Sequence, residues 1–423
     1  MNLTLEKKYQ LLLDISQKVR DTLDLDEIME HILDTVKTVL DYDAAGIFVL
    51  NQDLVRGRHE SPLGMIAGIA RRGFDPNPPE RDDMLMHAQG ITGYVILNCQ
   101  SLVIPDVRLD PRYIQGRRST LSEITVPIIR NERAIGALNL ESDRLSAFEP
   151  DDVEVLQFFA DAAAISIEKA MLHKQLLEQE LIGKQLETAR EVQTKLLPHS
   201  SPNLSGYDIA GICIPTDEIG GDYFDYIPLS HNRLGLAIAD VSGHGIPAAL
   251  VMTAFRALLR TKAHGNSRPA NIANSIDRLL PEFTGSKHFV TVLYAVLEAP
   301  TGNLTYISCG HPPPILLRTN GEAEKLTRHN PALGIFENLH HSDEEVILAP
   351  GDILVLYTDG VIELMNQNNV TFGISRLVQV IRENQQLPAA EIILKVIQAT
   401  QVYSDNYGFL DDFTLVIVRR ENS

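Results

Sequence analysis

Carboxylates at the ends of apolar runs are the residues whose type and spacing point to chemistry. Four such places fall in the C-terminal half of the 423-residue chain. Asp222 and Asp225 follow two glycines in IGGDYFD. Asp240 closes the apolar run LAIAD, ahead of the Gly-rich turn VSGHG. Asp359 closes ILVLYTD before Gly360. Asp411 and Asp412 open the final run, FTLVIV. A lone Asp-Gly is usually a turn. Several carboxylates converging from separate strand ends cannot all stay ionised and unpaired, because mutual repulsion raises their pKa values. A divalent cation resolves that conflict. An all-oxygen donor set selects the hard ions Mg²⁺ or Mn²⁺ over zinc. The sequence carries no HExxH motif and no Cys-rich cluster that would argue otherwise.

The elements that must position these carboxylates are short and β-rich from Tyr207 onward. YDIAGICIP, RLGLAIADV, FVTVLYAVLEA, NLTYISCG, PPILLRT, DILVLYTDG and DFTLVIVRR read as strands separated by Gly, Asn and Pro turns. IPAALVMTAFRALLRTKAH, PANIANSIDRLLPEF and PAAEIILKVIQATQVYS read as helices. Many strands with segregated helices predict an α+β domain, a β-sandwich flanked by helices. Ahead of it, Ile165, Leu172, Leu176, Ile182, Leu186, Ala189 and Leu196 recur at intervals of three to seven residues among Glu, Gln and Lys. This coiled-coil-like stripe has a break near residue 180. It reads either as one amphipathic helix on its own domain or, the preferred reading, as a parallel homodimer that buries the stripe. Pro198 stops the helix, and HSSPNLSG is a linker.

The N-terminal part has another texture. Two helices are expected over residues 5 to 40, the second capped by Asp24 or Asp26. A buried strand follows at 44 to 51, then a Pro-rich stretch at 74 to 83, a short helix and strand at 90 to 113, and a hairpin at 124 to 142. A long helix starts at Pro150. Cys99 reads as a core residue at a strand edge. The segments Gly90-Ile91-Thr92-Gly93, Ile104-Pro105-Asp106, Asp110-Pro111-Arg112, Gly136-Ala137-Leu138 and the helix start at Phe148 to Asp152 resemble a GAF domain over roughly residues 8 to 170. That resemblance implies an α/β sensor or dimerising module. The NKFDE-type pattern of cyclic-nucleotide GAF domains is absent, so the fold names no ligand. The boundaries expected are 1–164 for the sensor, 165–199 for the helical linker and 200–423 for the β-sandwich domain.

In that last domain the ordered motifs Gly220-Gly221-Asp222-Tyr223-Phe224-Asp225, Asp240-Val241-Ser242-Gly243-His244-Gly245, Gly310-His311-Pro312-Pro313-Pro314, Tyr357-Thr358-Asp359-Gly360 and Asp411-Asp412-Phe413-Thr414 resemble the SpoIIE/RsbU-type PPM (type 2C-like) serine/threonine phosphatases. ETAREVQTKLLP (187 to 198) resembles the segment that introduces this domain in the family. The resemblance implies two Mn²⁺ or Mg²⁺ ions. Asp240 would bridge them and the Val241 carbonyl would complete one site. Asp359 and Asp411 would hold the other, and Asp222 would join directly or through water. A bridging water of lowered pKa would attack phosphorus in line. His244 is a candidate acid for the leaving oxygen or a structural turn histidine. His311 orients a loop. Asp225 is a turn carboxylate or a support, and Asp412 a hydrogen-bonding support.

The resemblance also implies a partner: a phosphorylated STAS-domain protein, an anti-sigma-factor antagonist. A signal at the GAF domain would act through the linker helices. Two rival classes remain, a binding scaffold built on a degenerate domain and a hydrolase of small phosphoesters. Intact Asp222, Asp240, Asp359 and Asp411 favour the enzyme. The formal net charge of -19 disfavours nucleic acid. Cys99, Cys213 and Cys309 form no CxxC pair, which fits reduced thiols and a cytoplasmic setting. No apolar stretch is long enough for a transmembrane helix.

Overall fold

The computed structural model describes residues 22–50, 66–74, 90–217, 219–265, 268–284, 288–327, 330–336, 339–405, 409 and 411–422. The chain divides into two compact units, residues 1–181 and 182–423. The first of the two expected N-terminal helices and most of the Pro-rich stretch lie outside the described residues.

The first unit is built on a five-stranded antiparallel sheet. Its strands are β1 (Ala44–Leu50), β2 (Ile66–Arg72), β3 (Leu102–Ile104), β4 (Ser122–Arg130) and β5 (Arg133–Ser142), in the order β2-β1-β5-β4-β3. Helix α1 (Leu25–Lys37) starts at Asp24, whose carboxylate accepts from the Asp26 and Glu27 N–H groups that the helix leaves unpaired. Its apolar face, with Ile28, Ile32 and Val36, packs on one side of the sheet beside Leu156, Phe159 and Ile167 of α3 (Pro150–Leu196). Helix α2 (Gly90–Asn98) covers the other side through Ile91 and Val95. The β4–β5 hairpin turns at Asn131 and Glu132, both at positive φ, as a two-residue turn matched to strand twist requires.

Helix α3 runs on through the segment that carries the apolar stripe and ends at Leu196, ahead of Pro198, as expected. Around residue 180 its neighbours are Glu, Gln, Lys and Leu, strong helix formers that outweigh the single Gly183. One expectation is corrected here: Cys99 is exposed rather than core. It follows the last turn of α2 at φ 49°, a helix-ending conformation that turns it outward.

The second unit is a sandwich of two five-stranded antiparallel sheets. One contains β7 (Tyr223–Leu229), β8 (Arg233–Val241), β9 (Val290–Glu298), β10 (Asn303–Cys309) and β13 (Glu344–Ile347), in the order β13-β10-β9-β8-β7. The other contains β6 (Tyr207–Ile214), β11 (Ile315–Leu317), β12 (Ala323–Lys325), β14 (Ile353–Tyr357) and β15 (Phe413–Arg420), in the order β12-β11-β14-β15-β6. Strand alternation sends Leu236 and Ile238 inward against Leu356, Val416 and Val418. It sends Ala237 and Ala239 outward, under α4 (Gly245–Gly265) and α5 (Pro269–Thr284), which bring Met252, Phe255 and Leu280. After the short α6 (Asp359–Ile362), α7 (Gly373–Glu383) and α8 (Ala389–Tyr403) cover the opposite sheet with Leu377, Ile392 and Val396. The layers are helix, sheet, sheet, helix. No helix among the described residues is long and apolar enough to cross a membrane.

Candidate metal centre

Antiparallel pairing brings the four acidic motifs to one end of the sandwich. Tyr223 at the start of β7 pairs with Ala239 near the end of β8, which puts Asp222 beside Asp240. Tyr357 at the end of β14 pairs with Leu415 near the start of β15, which puts Asp359 beside Asp411. Two cavities open there. One, of about 440 Å³, is lined by Asp240, Asp411, Asp412, Asp217, His244 and the Gly220-Gly221 backbone. The other, of about 420 Å³, is lined by Asp240, Asp359, Glu363, Thr291 and His311. Asp240 lines both, and among the described residues no Lys or Arg lines either.

Burial and the neighbouring carboxylates dominate the surroundings of these groups. Burial and the charges of Asp359, Asp411 and Asp412 push the Asp240 carboxyl up to about 7. Asp359 is raised by burial and then by Glu363, which stands one helical turn further along α6. Asp411 is raised by burial and by Asp359 and Asp217, against the Asp412 N–H that donates to its Oδ1 at 2.8 Å. Asp222 is fully buried and lines neither cavity. Burial and then Asp240 raise it, while Thr414 Oγ1 (2.5 Å) and Thr358 Oγ1 (2.8 Å) both donate to its Oδ2. Among the described residues no three acidic, His or Cys side chains close on one point as a ready-made cage. The donors line an open cleft, which suits Mg²⁺ or Mn²⁺ keeping part of their own water.

The remaining candidates separate by position. His244 sits on a turn between Gly243 (φ 92°) and Gly245 (φ 71°) and is 91% exposed, with Nδ1 3.5 Å from Asp217. Ser242 anchors that turn: its N–H donates to the Phe289 carbonyl, and its hydroxyl accepts from the Phe289 N–H. His311 is buried, its Nδ1 2.9 Å from the Thr291 hydroxyl, and burial lowers it to about 3, so the ring is neutral. Thr291 pairs with Asp240 across β8 and β9. Asp225 is away from the cleft and inside β7, not in a turn. Arg260 of α4 grips both its oxygens at 2.6 and 2.7 Å, and Tyr223 Oη donates to it.

Comparisons with known proteins agree with this architecture. The family model of stage II sporulation protein E (SpoIIE) matches residues 230–421, and a GAF-domain model matches residues 22–168. The chain thus joins a region that matches a GAF domain to one that matches SpoIIE. The SpoIIE-like region shares its fold with the solved SiaA-PP2C domain of Pseudomonas aeruginosa, at TM-score 0.52 and 23% identity, covering 57% of this chain and 98% of that one. Protein IcfG of Synechocystis is 28% identical over 264 residues, 56% of this chain and 41% of its own length. Phosphoserine phosphatase RsbU of Bacillus subtilis is 28% identical over 244 residues, 57% of this chain and 72% of its own. The match thus spans less than half of IcfG.

Several residues that shape the site act through contacts that the sequence does not show, even where they stand inside the quoted motifs. Thr358 and Thr414, which hold Asp222, lie 136 and 192 positions from it. Asp217 and Glu363 add charge at the two rims of the cleft. Asp412 accepts from three backbone N–H groups, those of Thr216 and Gly221 at 2.8 Å and Asp222 at 3.3 Å. Gly220 exists for that grip, because a Cβ there would meet Asp412 Oδ2 at 2.3 Å. The sequence signal for Gly220, Thr358 and Thr414 is their place in the quoted motifs, and for Asp412 also its place next to a candidate ligand.

Proposed function

We propose that this protein is a metal-dependent phosphatase that removes phosphate from phosphoserine or phosphothreonine of a partner protein. The observation that carries the reading is Asp240. It stands where the two cavities meet, and its own burial and three neighbouring carboxylates raise it to about 7. Such a group is unfavourable alone and favourable beside cations. In this reading Asp240, the Val241 carbonyl, Asp359 and Asp411 would together hold divalent ions. Asp222 acts from behind, directly or through water. Ions bound there would supply a water nucleophile of lowered pKa and neutralise the phosphoryl oxygens.

The chain does the positioning. Asp412 fixes the segment from Thr216 to Asp222, and the two threonines orient the Asp222 carboxylate. His244, exposed at the rim beside Asp217, is free to give a proton to the leaving serine oxygen. With no Lys or Arg along the cleft among the described residues, the phosphate would depend on bound cations. A cysteinyl phosphate route is disfavoured: burial pushes the Cys213 and Cys309 thiols up, away from the nucleophilic thiolate.

The substrate proposed is a phosphorylated STAS-domain antagonist of an anti-sigma factor, on the strength of the likeness to RsbU. The GAF domain is proposed as the signal input. The α3 stripe, with Ile165, Leu172, Leu176 and Ile182 each more than half exposed, is proposed to pair with a second copy. Phosphorylated STAS proteins incubated with the chain and Mn²⁺, then weighed by mass spectrometry, test the substrate. Loss of phosphate from one of them supports it, and retention on all of them removes it.

A further inference from the structure

Gln193 sits near the end of α3, within the second unit, and faces the segment that leads into Asp222. Its amide makes two hydrogen bonds with a single residue. Nε2 donates to the Gly220 carbonyl at 2.7 Å, and the Gly220 N–H donates to Oε1 at 3.2 Å. That is the pairing a strand partner would give, made where residues 219–222 have no strand of their own. Among the described residues, the other side-chain hydrogen bonds from 182–197 stay inside the helix.

The segment needs to be held. Two successive glycines have wide backbone freedom that is costly to fix. Both are required by close approach: a Cβ at 220 would strike Asp412, and one at 221 would stand 3.0 Å from the Val241 carbonyl oxygen. Asp412 therefore grips the segment from one side and Gln193 from the other. Packing leaves the helix end loosely covered. A cavity of about 420 Å³ lies between it and α4, lined in part by Leu186, Val192, Ile219 and Leu250. Val192 and Leu250 remain 57% and 67% exposed.

We infer that Gln193 is a positioning residue of the metal centre: it sets Gly220-Gly221-Asp222 against Val241 and thereby the affinity for divalent cations. The inference rests on the phosphatase reading above. Gln193 acts through the backbone of the segment and touches neither ion nor substrate. Metal affinity then depends on where the end of α3 stands.

The test uses the full chain with Gln193→Met, similar in size without either hydrogen bond, and Gln193→Glu, which keeps the acceptor and loses the donor. Glu191→Gln, exposed on the same helix, is the control. The readouts are Mn²⁺ affinity by calorimetry, the thermal midpoint in EDTA, and kcat and KM on a phosphoserine peptide at low and saturating Mn²⁺. Both Gln193 variants should bind Mn²⁺ about 10- to 100-fold more weakly, as loss of a ligand-orienting contact does. KM for the peptide should hold, kcat should recover as Mn²⁺ rises, and the EDTA midpoint should stay within about 2 °C of the parent. Parental Mn²⁺ affinity in both variants overturns the inference. So does a loss that follows a fallen EDTA midpoint and is not recovered by Mn²⁺. If the parent itself binds no Mn²⁺, the phosphatase reading fails and the inference with it. If the parent binds and the variants bind equally, only the inference fails.

Discussion

Asp240 and Asp412 are both acidic residues of the cleft, and their surroundings give them opposite work. Asp412 uses both oxygens on backbone N–H groups. Asp412→Ala leaves three donors without their acceptor and should cost about 1–3 kcal/mol of stability, measured by denaturant unfolding, along with Mn²⁺ affinity. Asp240 instead faces other carboxylates. Its pKa is about 7 in the metal-free fold and about 3.9 in the unfolded chain. Between those values the folded state holds more protons, so metal-free stability falls as pH rises. Asp240→Asn removes that fall. In EDTA the variant should melt above the parent at pH 8 and close to it at pH 4, and it should have lost metal-dependent hydrolysis. A variant that melts below the parent at pH 8 in EDTA would mean that Asp240 is not under repulsion.

At the scale of elements, the strands of the second unit could be read from the sequence because alternation and β-branched runs are local signals. Leu236 and Ile238 inward with Ala237 and Ala239 outward is such a pattern. The convergence of four strand ends could be suspected from the acidic motifs, since each closes or opens a run. The holding contacts could not. The bonds of Thr358 and Thr414 join positions far apart in the chain and follow from sheet order, and those of Gln193 follow from where the end of α3 lies against residues 219–222; single-strand patterns encode neither. Cys99 was misread because a helix-ending turn and a strand edge look alike in a short apolar segment. Helix α3 leaves its own stripe uncovered, so Leu172→Lys with Leu176→Lys should convert a dimer to a monomer in sedimentation. A parent that sediments as a monomer removes the pairing proposal.

For the whole molecule, two compact units with separate cores imply separable stabilities. A cation that binds only the folded second unit stabilises that unit alone, by about 2.7 kcal/mol at a hundredfold excess over its dissociation constant. Calorimetric scans with and without Mn²⁺ should therefore move one of two transitions and leave the other in place. Movement of both together would show that the units unfold as one. The most direct test of the metal centre is phosphate release from a phosphoserine protein by the full chain with Mn²⁺. Release should require Mn²⁺, stop in EDTA, and be lost in Asp240→Asn and Asp359→Asn. Release that continues in EDTA, or that survives both substitutions, would contradict a catalytic centre built on these carboxylates.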